Sequence, residues 1–199
     1  MGTRVDEIVR AGLTVAGRDG LSAVSMRAVA AEVGFTAMAL YRHIGNKEEL
    51  LDGMVGALLG ELDLPADDDP WPERLRHLSL ELLALSRRYP TVVPLLLTRP
   101  YRAPEAIRVV RAMYRLLTDA GVAPAEVFRI ERLISTHLLG FCVTVANDAF
   151  WAAEPDTVAI ESVPAGRSEP DVEDRWRAEL ERNLESLRHL ILAERTPPA

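Results

Sequence analysis

Apolar residues recur at intervals of three and four along almost the whole chain, and this spacing constrains the fold more than any other feature. It is typical of α-helices that bury one face, and no segment shows a convincing strand pattern. Proline and glycine mark the breaks, the clearest being the acidic segment 65–70, which has a proline at each end. We therefore expect an all-α protein with a small N-terminal domain (1–46), a connecting helix (47–64), a linker (65–70) and a larger helical domain (71–199).

The breaks delimit a series of helices. We predict them at about residues 3–18, 25–33, 36–43, 46–62, 71–88, 90–98, 103–120, 125–152 and 172–193. Ser25 and Thr36 are suited to cap the second and third helices, and Gly34 is suited to the turn between them. Residues 153–170 contain three prolines and a glycine, so we expect a mobile loop there.

Composition excludes several classes of protein. Hydrophobic residues make up 48% of the chain and charged residues 27%, which is enough apolar surface for a folded core. We find neither a membrane span nor a secretory signal, and the single cysteine, Cys142, cannot form an internal disulfide. These features lead us to expect a cytoplasmic protein. Because no catalytic triad, phosphate loop or metal-ligand set is apparent, we also expect that it is not an enzyme and holds no cofactor or metal.

Charge is distributed unevenly along the chain. The net charge is −7, yet residues 1–49 hold six basic and six acidic side chains, so the whole excess lies beyond them. Within residues 20–47, Arg27, Arg42 and Lys47 stand against one acid, Glu32. This balance is compatible with a head that contacts phosphate and a body that repels it.

The segment 25–47 has the pattern of a helix-turn-helix. Such a motif needs a small residue where two short helices touch, a turn residue that tolerates positive φ, and apolar residues between the helices. Ala30 and Gly34 meet the first two needs, and the spacing alone also fits an ordinary helical hairpin. The expected apolar contacts are Val29, Val33, Phe35 and Leu40. The side chains expected to face away from them are Thr36, Ala37, Ala39, Tyr41 and Arg42.

The residues that leave the second short helix favour the helix-turn-helix. They read Leu40-Tyr-Arg-His-Ile-Gly-Asn-Lys-Glu-Glu-Leu-Leu51 and contain the run Leu-Tyr-x-His-apolar-x-x-Lys-x-x-Leu. With this run, residues 4–60 resemble the tetracycline-repressor family of transcriptional regulators. The resemblance implies a double-stranded DNA operator as partner, with phosphate contacts from Tyr41, His43 and Lys47. Packing of Tyr41 and capping by His43 are the alternatives.

The resemblance also implies which residues read bases. Arg27 is expected to contact a phosphate or a guanine, and Ala37, Met38 and Ala39 occupy the base-reading positions. The two alanines depart from the tetracycline repressor, which has hydrogen-bonding side chains there. They offer apolar contact only, so readout depends on Arg27, Thr36, Arg42 or DNA shape.

Residues 71–152 resemble the ligand-binding domain of the tetracycline-repressor branch, through Trp71, Thr98-Arg99-Pro100 and His137-Leu-Leu-Gly-Phe-Cys142. Two of that repressor's magnesium-site positions fall on Leu95 and Thr144, which bind Mg²⁺ poorly. The implied effector is therefore an unknown small molecule other than magnesium–tetracycline, in a largely apolar pocket. The side chains predicted for this pocket are His77, Glu81, Arg99, Tyr114, His137, Phe141 and Asn147. A core position for His137 and a solvated His77–Glu81 pair are the alternatives.

Two later helices carry apolar stripes at coiled-coil spacing. In the family, such helices pair with those of a second subunit, which implies a homodimer that places two recognition helices on a pseudo-palindromic operator. The residues predicted for this interface are Ile134, Phe141, Trp176, Leu180, Leu184, Leu187 and Ile191. Burial of both stripes within one subunit is the alternative. The expected function is a ligand-responsive repressor.

Two other functions are weighed against this one. A helical prenyl-diphosphate enzyme is suggested by Asp67-Asp68-Asp69, but these aspartates are consecutive in a linker and no second acidic motif accompanies them. A helix-turn-helix adaptor that binds protein is disfavoured by Arg27, Tyr41 and Lys47. A gel shift with genomic fragments distinguishes an adaptor from a DNA-binding regulator.

Overall fold

The computed structural model describes residues 3–99, 101–147 and 172–195, and within these ranges the chain is helical without a strand. The elements are α1 (Arg4–Asp19), a 3₁₀ turn (Leu21–Ala23), α2 (Met26–Glu32), α3 (Ala37–Leu40), α4 (Lys47–Gly60), α5 (Trp71–Arg88), α6 (Leu95–Thr98), α7 (Pro104–Asp119), α8 (Val127–Asn147) and α9 (Val172–Ala193). The all-α prediction is confirmed. The predicted loop 153–170 lies outside the described residues. None of the helices in the described ranges is both long and apolar enough to cross a membrane.

Polar side chains begin the helices of the N-terminal half. Ser25 Oγ accepts the Ala28 N–H at 3.2 Å and Thr36 Oγ1 accepts the Ala39 N–H at 3.2 Å, which confirms both predicted caps. Asn46 caps α4 in the same way, since its Oδ1 accepts a backbone N–H at 2.9 Å. These bonds satisfy amides that the first turn of a helix leaves unpaired.

Two helices are shorter than predicted. After Leu40 the backbone tightens, with the His43 N–H donating to the Leu40 carbonyl, so α3 ends before the expected residue 43. The segment predicted as a helix over 90–98 is helical only from Leu95 to Thr98. Pro94 has no N–H to donate to the preceding turn, which explains why residues 90–94 form turns instead.

Helix α4 is common to both halves of the chain. It packs against α1 on one side and against α7 on the other, and the buried residues of all the longer helices form one connected hydrophobic core. The apolar residues predicted for this helix are all buried: Leu50, Leu51, Met54, Val55, Leu58, Leu59 and Leu62. Burial on two sides ties the position of the N-terminal helices to that of the C-terminal ones.

The stripes predicted to form a subunit interface lie in the core of a single chain. Helix α9 packs against α5 and α8 of its own chain, and Phe141 meets Trp176 edge to face with 5.8 Å between ring centroids. All seven residues are at most 9% exposed: Ile134, Phe141, Trp176, Leu180, Leu184, Leu187 and Ile191. The prediction that they face a second subunit is therefore wrong. A coiled-coil spacing shows that a helix has an apolar face but does not reveal which helix covers that face. Here α5 of the same chain packs against both α8 and α9.

Candidate DNA interface and ligand cavity

A glycine turn sets the position of α3 against α2. Gly34 has a φ of 71°, in the left-handed region that favours glycine. The Phe35 N–H donates to the Ala30 carbonyl at 2.7 Å and the Gly34 N–H to the Ala31 carbonyl at 3.2 Å. These two bonds close the end of α2 and reverse the chain, which leaves one face of α3 open to solvent.

Met38 dominates the open face of α3. Its side chain is 77% exposed, whereas Ala37 is half-buried against the core and Ala39 is also half-buried. The expectation that Ala37 faces fully away from the core is therefore wrong, since only four residues form the helix and Ala37 lies on its inner side. Thr36 is exposed at the start of α3. The most exposed residue of α3 is thus a flexible apolar one, suited to contact with a thymine methyl group.

Tyr41 and His43 follow α3 at the same surface. Tyr41 is 47% exposed, so packing does not account for its ring. His43 is exposed, and its ring stacks with the Phe35 ring at 6.5 Å between centroids. The Arg4 guanidinium also lies over the Phe35 ring, 5.0 Å from its centroid. Both side chains are accessible to a phosphate backbone.

The basic side chains around α3 have no acidic partner in the described part of the chain. Arg27, Arg42 and Lys47 are all exposed, and none has a carboxylate within 4.0 Å. The one nearby acid of segment 20–47, Glu32, is instead 3.0 Å from Arg18. Three unpaired cations on one surface produce the positive potential that attracts a polyanion.

The acids that follow Lys47 are held by other groups. Glu49 accepts the Gly45 N–H at 2.9 Å and the Asn46 side-chain amide at 3.0 Å. Glu48 lies 2.6 Å from Arg99. Both carboxylates are therefore engaged with cap or guanidinium groups, and the Lys47 ammonium stands at the N-terminus of α4, where the helix dipole adds to its attraction for an anion.

An apolar cavity of about 60 Å³ lies among α4, α5, α7 and α8. Its walls are Leu59, Leu62, Leu78, Leu82, Tyr101, Ala106, Val109, Val110, Met113, Glu131, Ser135, Leu138 and Leu139. Helix α4 contributes Leu59, and Leu62 follows just after its end, so the connecting helix reaches from the candidate DNA surface to the cavity. None of the seven side chains predicted for the pocket lines this space.

Arg99 joins the two halves of the chain instead of lining the cavity. Its Nε donates to Asp52 at 2.5 Å and its terminal nitrogens donate to the Glu48 carboxylate at 2.6 Å and the Glu48 carbonyl at 3.1 Å. The hydrogen bond to Asp52, followed by that to Glu48, raises the pKa of Arg99 above its usual value. Arg99 thus fastens the end of α6 to the first turns of α4.

His77 and Glu81 hold the segment that leaves α4. His77 Nε2 lies 3.1 Å from the Asp63 carbonyl, and Glu81 accepts the Asp63 N–H at 3.2 Å. In the residues that the structure describes, no group of three histidine, cysteine or acidic side chains is placed to bind a metal. Both side chains therefore contact the backbone of the segment after α4 instead of lining the cavity.

The remaining predicted pocket residues lie on other surfaces. His137 and Phe141 line an open groove of about 390 Å³ between α8 and α9, and His137 is exposed, so its alternative assignment as a core histidine is wrong. Asn147 donates to the Val143 carbonyl of its own helix at 2.7 Å. Tyr114 is half-buried on α7 and does not line the cavity.

Sequence reasoning missed the polar residues that do line the cavity: Tyr101, Glu131 and Ser135. Glu131 is 8% exposed on α8 and lies beside Ile130 and one turn from Ile134. A charged residue inside an apolar stripe is the signal that could have identified it. Burial, with a smaller contribution from the charge of Glu131, raises the pKa of Tyr101 to about 12.

Family comparisons match both halves of the chain. Residues 8–54 match the family described as "Bacterial regulatory proteins, tetR family", and residues 64–164 match "Tetracyclin repressor-like, C-terminal domain". The HTH-type transcriptional repressor DrrR1 of Streptomyces coeruleorubidus is 33% identical over 138 residues, covering 68% of this chain and 51% of that protein. An HTH-type transcriptional regulator of Saccharopolyspora erythraea is 30% identical over 147 residues, covering 73% and 61%. The chain thus spans between half and two thirds of the length of these curated relatives.

Solved structures share the fold over nearly the whole chain. ActR of Streptomyces coelicolor, in complex with (S)-DNPA, superposes with a TM-score of 0.78 at 23% identity and covers 97% of this chain and 98% of its own. BioQ bound to its natural double-stranded DNA operator gives 0.71 at 20% identity, covering 96% and 99%. At these identities the likeness concerns the fold. Since family matches cover the helix-turn-helix and most of the helices behind it, the chain belongs to the tetR family of bacterial regulatory proteins.

Proposed function

We propose that this chain is a transcriptional regulator that binds an operator as a homodimer, represses through that binding, and is released by a small molecule. The observation that carries the proposal is the surface around α3, where Arg27, Arg42 and Lys47 are exposed and without acidic partners in the described residues. The repressor name of DrrR1, the operator bound by BioQ and the small molecule bound by ActR support the same function. Such a regulator acts where the chromosome is, in the cytoplasm.

The DNA contact is proposed to divide between phosphates and bases. Arg27, Tyr41, His43 and Lys47 contact phosphates around the motif, while Met38 reaches the base edges of the major groove. Thr36, Ala37, Ala39 and Arg42 complete this contact surface. Because the projecting side chain is apolar, thymine methyl groups and DNA shape contribute more to selectivity than hydrogen bonds to base edges.

Dimerisation is proposed to use the outer faces of α8 and α9. Their inner faces are buried in the single chain, so a partner must contact what remains exposed. These helices run antiparallel, since Arg129 near the start of α8 lies 2.7 Å from Glu194 just after α9. Phe128, Leu133 and Leu192 are more than 40% exposed near this end and provide apolar contact area.

Helix α4 is proposed to carry the response from the ligand to DNA. Lys47 and Leu59 are twelve positions apart, a distance of about 18 Å along a helix axis. Its two ends are held tightly: Arg99 binds the first turns, and at Gly56 an added Cβ would lie 2.7 Å from the Ala103 Cβ. A ligand that displaces Leu59 therefore moves α4 as a rigid body, and a coupling of about 1–3 kcal/mol suffices to change operator occupancy.

Selection from a randomised duplex library tests the proposal. We expect the recovered sequences to share an inverted repeat, with half-sites separated by about one helical turn or a multiple of it. Sedimentation should show two chains on each duplex. Recovery of no consensus, together with a monomer that ignores duplex DNA at low ionic strength, would contradict the proposed function.

A further inference from the structure

The cavity among α4, α5, α7 and α8 has a carboxylate in an otherwise apolar wall. Glu131 lines it and is 8% exposed. Ser135, four residues further along α8, donates its hydroxyl hydrogen bond to Glu131 Oε1 at 2.7 Å. In the described residues, no lysine, arginine or histidine lies within 4.0 Å of this carboxylate.

Fold stability does not explain this carboxylate. A charge removed from water is costly unless an opposite charge and several hydrogen bonds compensate it. Two other ionic side chains with little exposure pair with opposite charges: Arg74, 4% exposed, pairs with Asp119 at 2.5 Å, and Arg99, 14% exposed, pairs with two acids. Among the residues that the structure describes, Glu131 has one hydrogen-bond donor, the neutral Ser135 hydroxyl. It lies beyond the first turn of α8, where the helix dipole contributes little.

The neighbouring hydroxyl groups leave the carboxylate available. Tyr101 also lines the cavity, but its hydroxyl donates to the Leu96 carbonyl at 2.6 Å. The rest of the wall consists of leucine, valine, alanine and methionine side chains. A ligand in this space therefore contacts one strong, negatively charged hydrogen-bond acceptor, the Glu131 carboxylate. The rest of the wall favours apolar groups.

We propose that the effector is a lipophilic amine, whose protonated nitrogen pairs with Glu131 while its hydrocarbon body lies against Leu59, Leu82 and Met113. This inference rests on the proposed function, for which it names the ligand class. An ammonium group supplies the donors and the positive charge that the wall lacks. A ligand with only acceptor atoms would place one oxygen against another and bind poorly.

The walls of the cavity link recognition to response. They are closely packed side chains of several helices, so a hydrocarbon chain seated in the cavity presses on them. Two of these walls are Leu59 and Leu62 near the end of α4. The charge pair with Glu131 anchors the ligand on α8, and the hydrocarbon then displaces α4, which carries Lys47 at its other end.

Calorimetric titration with n-hexylammonium and with 1-hexanol at neutral pH tests the proposal, because these probes match in length and differ in charge. We expect the wild-type chain to bind the amine about tenfold or more tightly than the alcohol. Glu131→Gln, which keeps the shape of the side chain, should remove this preference by weakening the amine alone. Glu179→Gln, at the open groove between α8 and α9, is the matched control and should keep it.

The outcomes separate this inference from the proposed function. Equal affinity of the wild-type chain for both probes, or no binding of either at millimolar concentration, overturns the amine proposal. So does a Glu131→Gln variant that loses both probes equally, since that result indicates a structural role. Fluorescence anisotropy of the ligand-free wild type and variant measures operator affinity and so tests the proposed function separately. A chain that prefers the amine but does not bind an operator contradicts the proposed function and leaves the amine proposal intact.

Discussion

Replacement of Lys47 by glutamine is expected to change the salt dependence of operator binding in a calculable way. The ammonium is exposed, has no acidic partner among the described residues and stands at the start of α4. In a dimer the substitution removes two phosphate contacts. Each contact contributes about 0.9 to the slope of log K against log salt, so the slope should become shallower by about 1.8.

This difference in slope changes how much more tightly the wild type binds DNA than the variant does. Between about 50 and 200 mM salt, a fourfold increase, the ratio of wild-type to variant affinity should narrow by about 12-fold. Fluorescence anisotropy with the selected operator and with an unrelated duplex measures it. Because a phosphate contact carries no sequence information, both duplexes should show the same change in slope.

A matched control removes an equal charge elsewhere. Arg115 lies 3.2 Å from Asp67 on the exposed side of α7, and Arg115→Gln should leave the slope unchanged. A Lys47→Gln variant with the wild-type slope, or one that weakens the operator and spares the unrelated duplex, would refute the assignment of Lys47 as a phosphate contact.

Four further predictions concern the fold. Gly34→Ala places a side chain at a φ of 71° and should lower the free energy of unfolding in urea by about 1–2 kcal/mol. Arg99→Met leaves Asp52, a quarter of whose side chain is exposed, without its guanidinium and should lower it by about 1–2 kcal/mol. Burial raises the pKa of the Cys142 thiol to about 12, so iodoacetamide at about pH 8 should alkylate the unfolded chain and spare the folded one. The same shift means that the free energy of unfolding falls as pH rises from 9 toward 12.

Each of these predictions has a control or a contradicting result. Gly17→Ala, inside α1 where an added Cβ meets nothing within 4 Å, should raise the free energy of unfolding by about 0.5–1 kcal/mol, opposite in sign to Gly34→Ala. Arg115→Met breaks an exposed pair with Asp67 and should have little effect. Equal alkylation rates of Cys142 in folded and unfolded chains would show that the thiol is accessible.

Local signals in the sequence predict much of the N-terminal half. The caps at Ser25 and Thr36 and the turn at Gly34 depend on residues within five positions of each other, so their chemistry can be read directly. Helix α5 begins and ends at the predicted residues, Trp71 and Arg88, because a proline follows its first residue and another follows its end. The predicted DNA-contact residues are all exposed or half-buried, and their contact with DNA stays a prediction.

The cavity and the subunit surface could not be predicted in the same way. An apolar stripe such as that of Trp176, Leu184 and Ile191 indicates that one face of the helix is buried. It does not identify the helix that covers this face, because that helix is distant in sequence. Arg99 illustrates the same limit, since its partners Glu48 and Asp52 lie 51 and 47 positions away. The sequence suggests polar residues for the pocket by their chemistry alone, whereas their placement depends on how four helices meet.

The buried stripe of α9 has a consequence for subunit exchange in the proposed homodimer. Since Trp176, Leu180 and Ile191 are covered within one polypeptide, separation of the two proposed subunits would expose none of them to water. We therefore expect dissociation and unfolding to be distinct events, unlike in obligate dimers whose protomers lose their core on separation. Mixed dimers should then form when two versions of the chain are combined under native conditions.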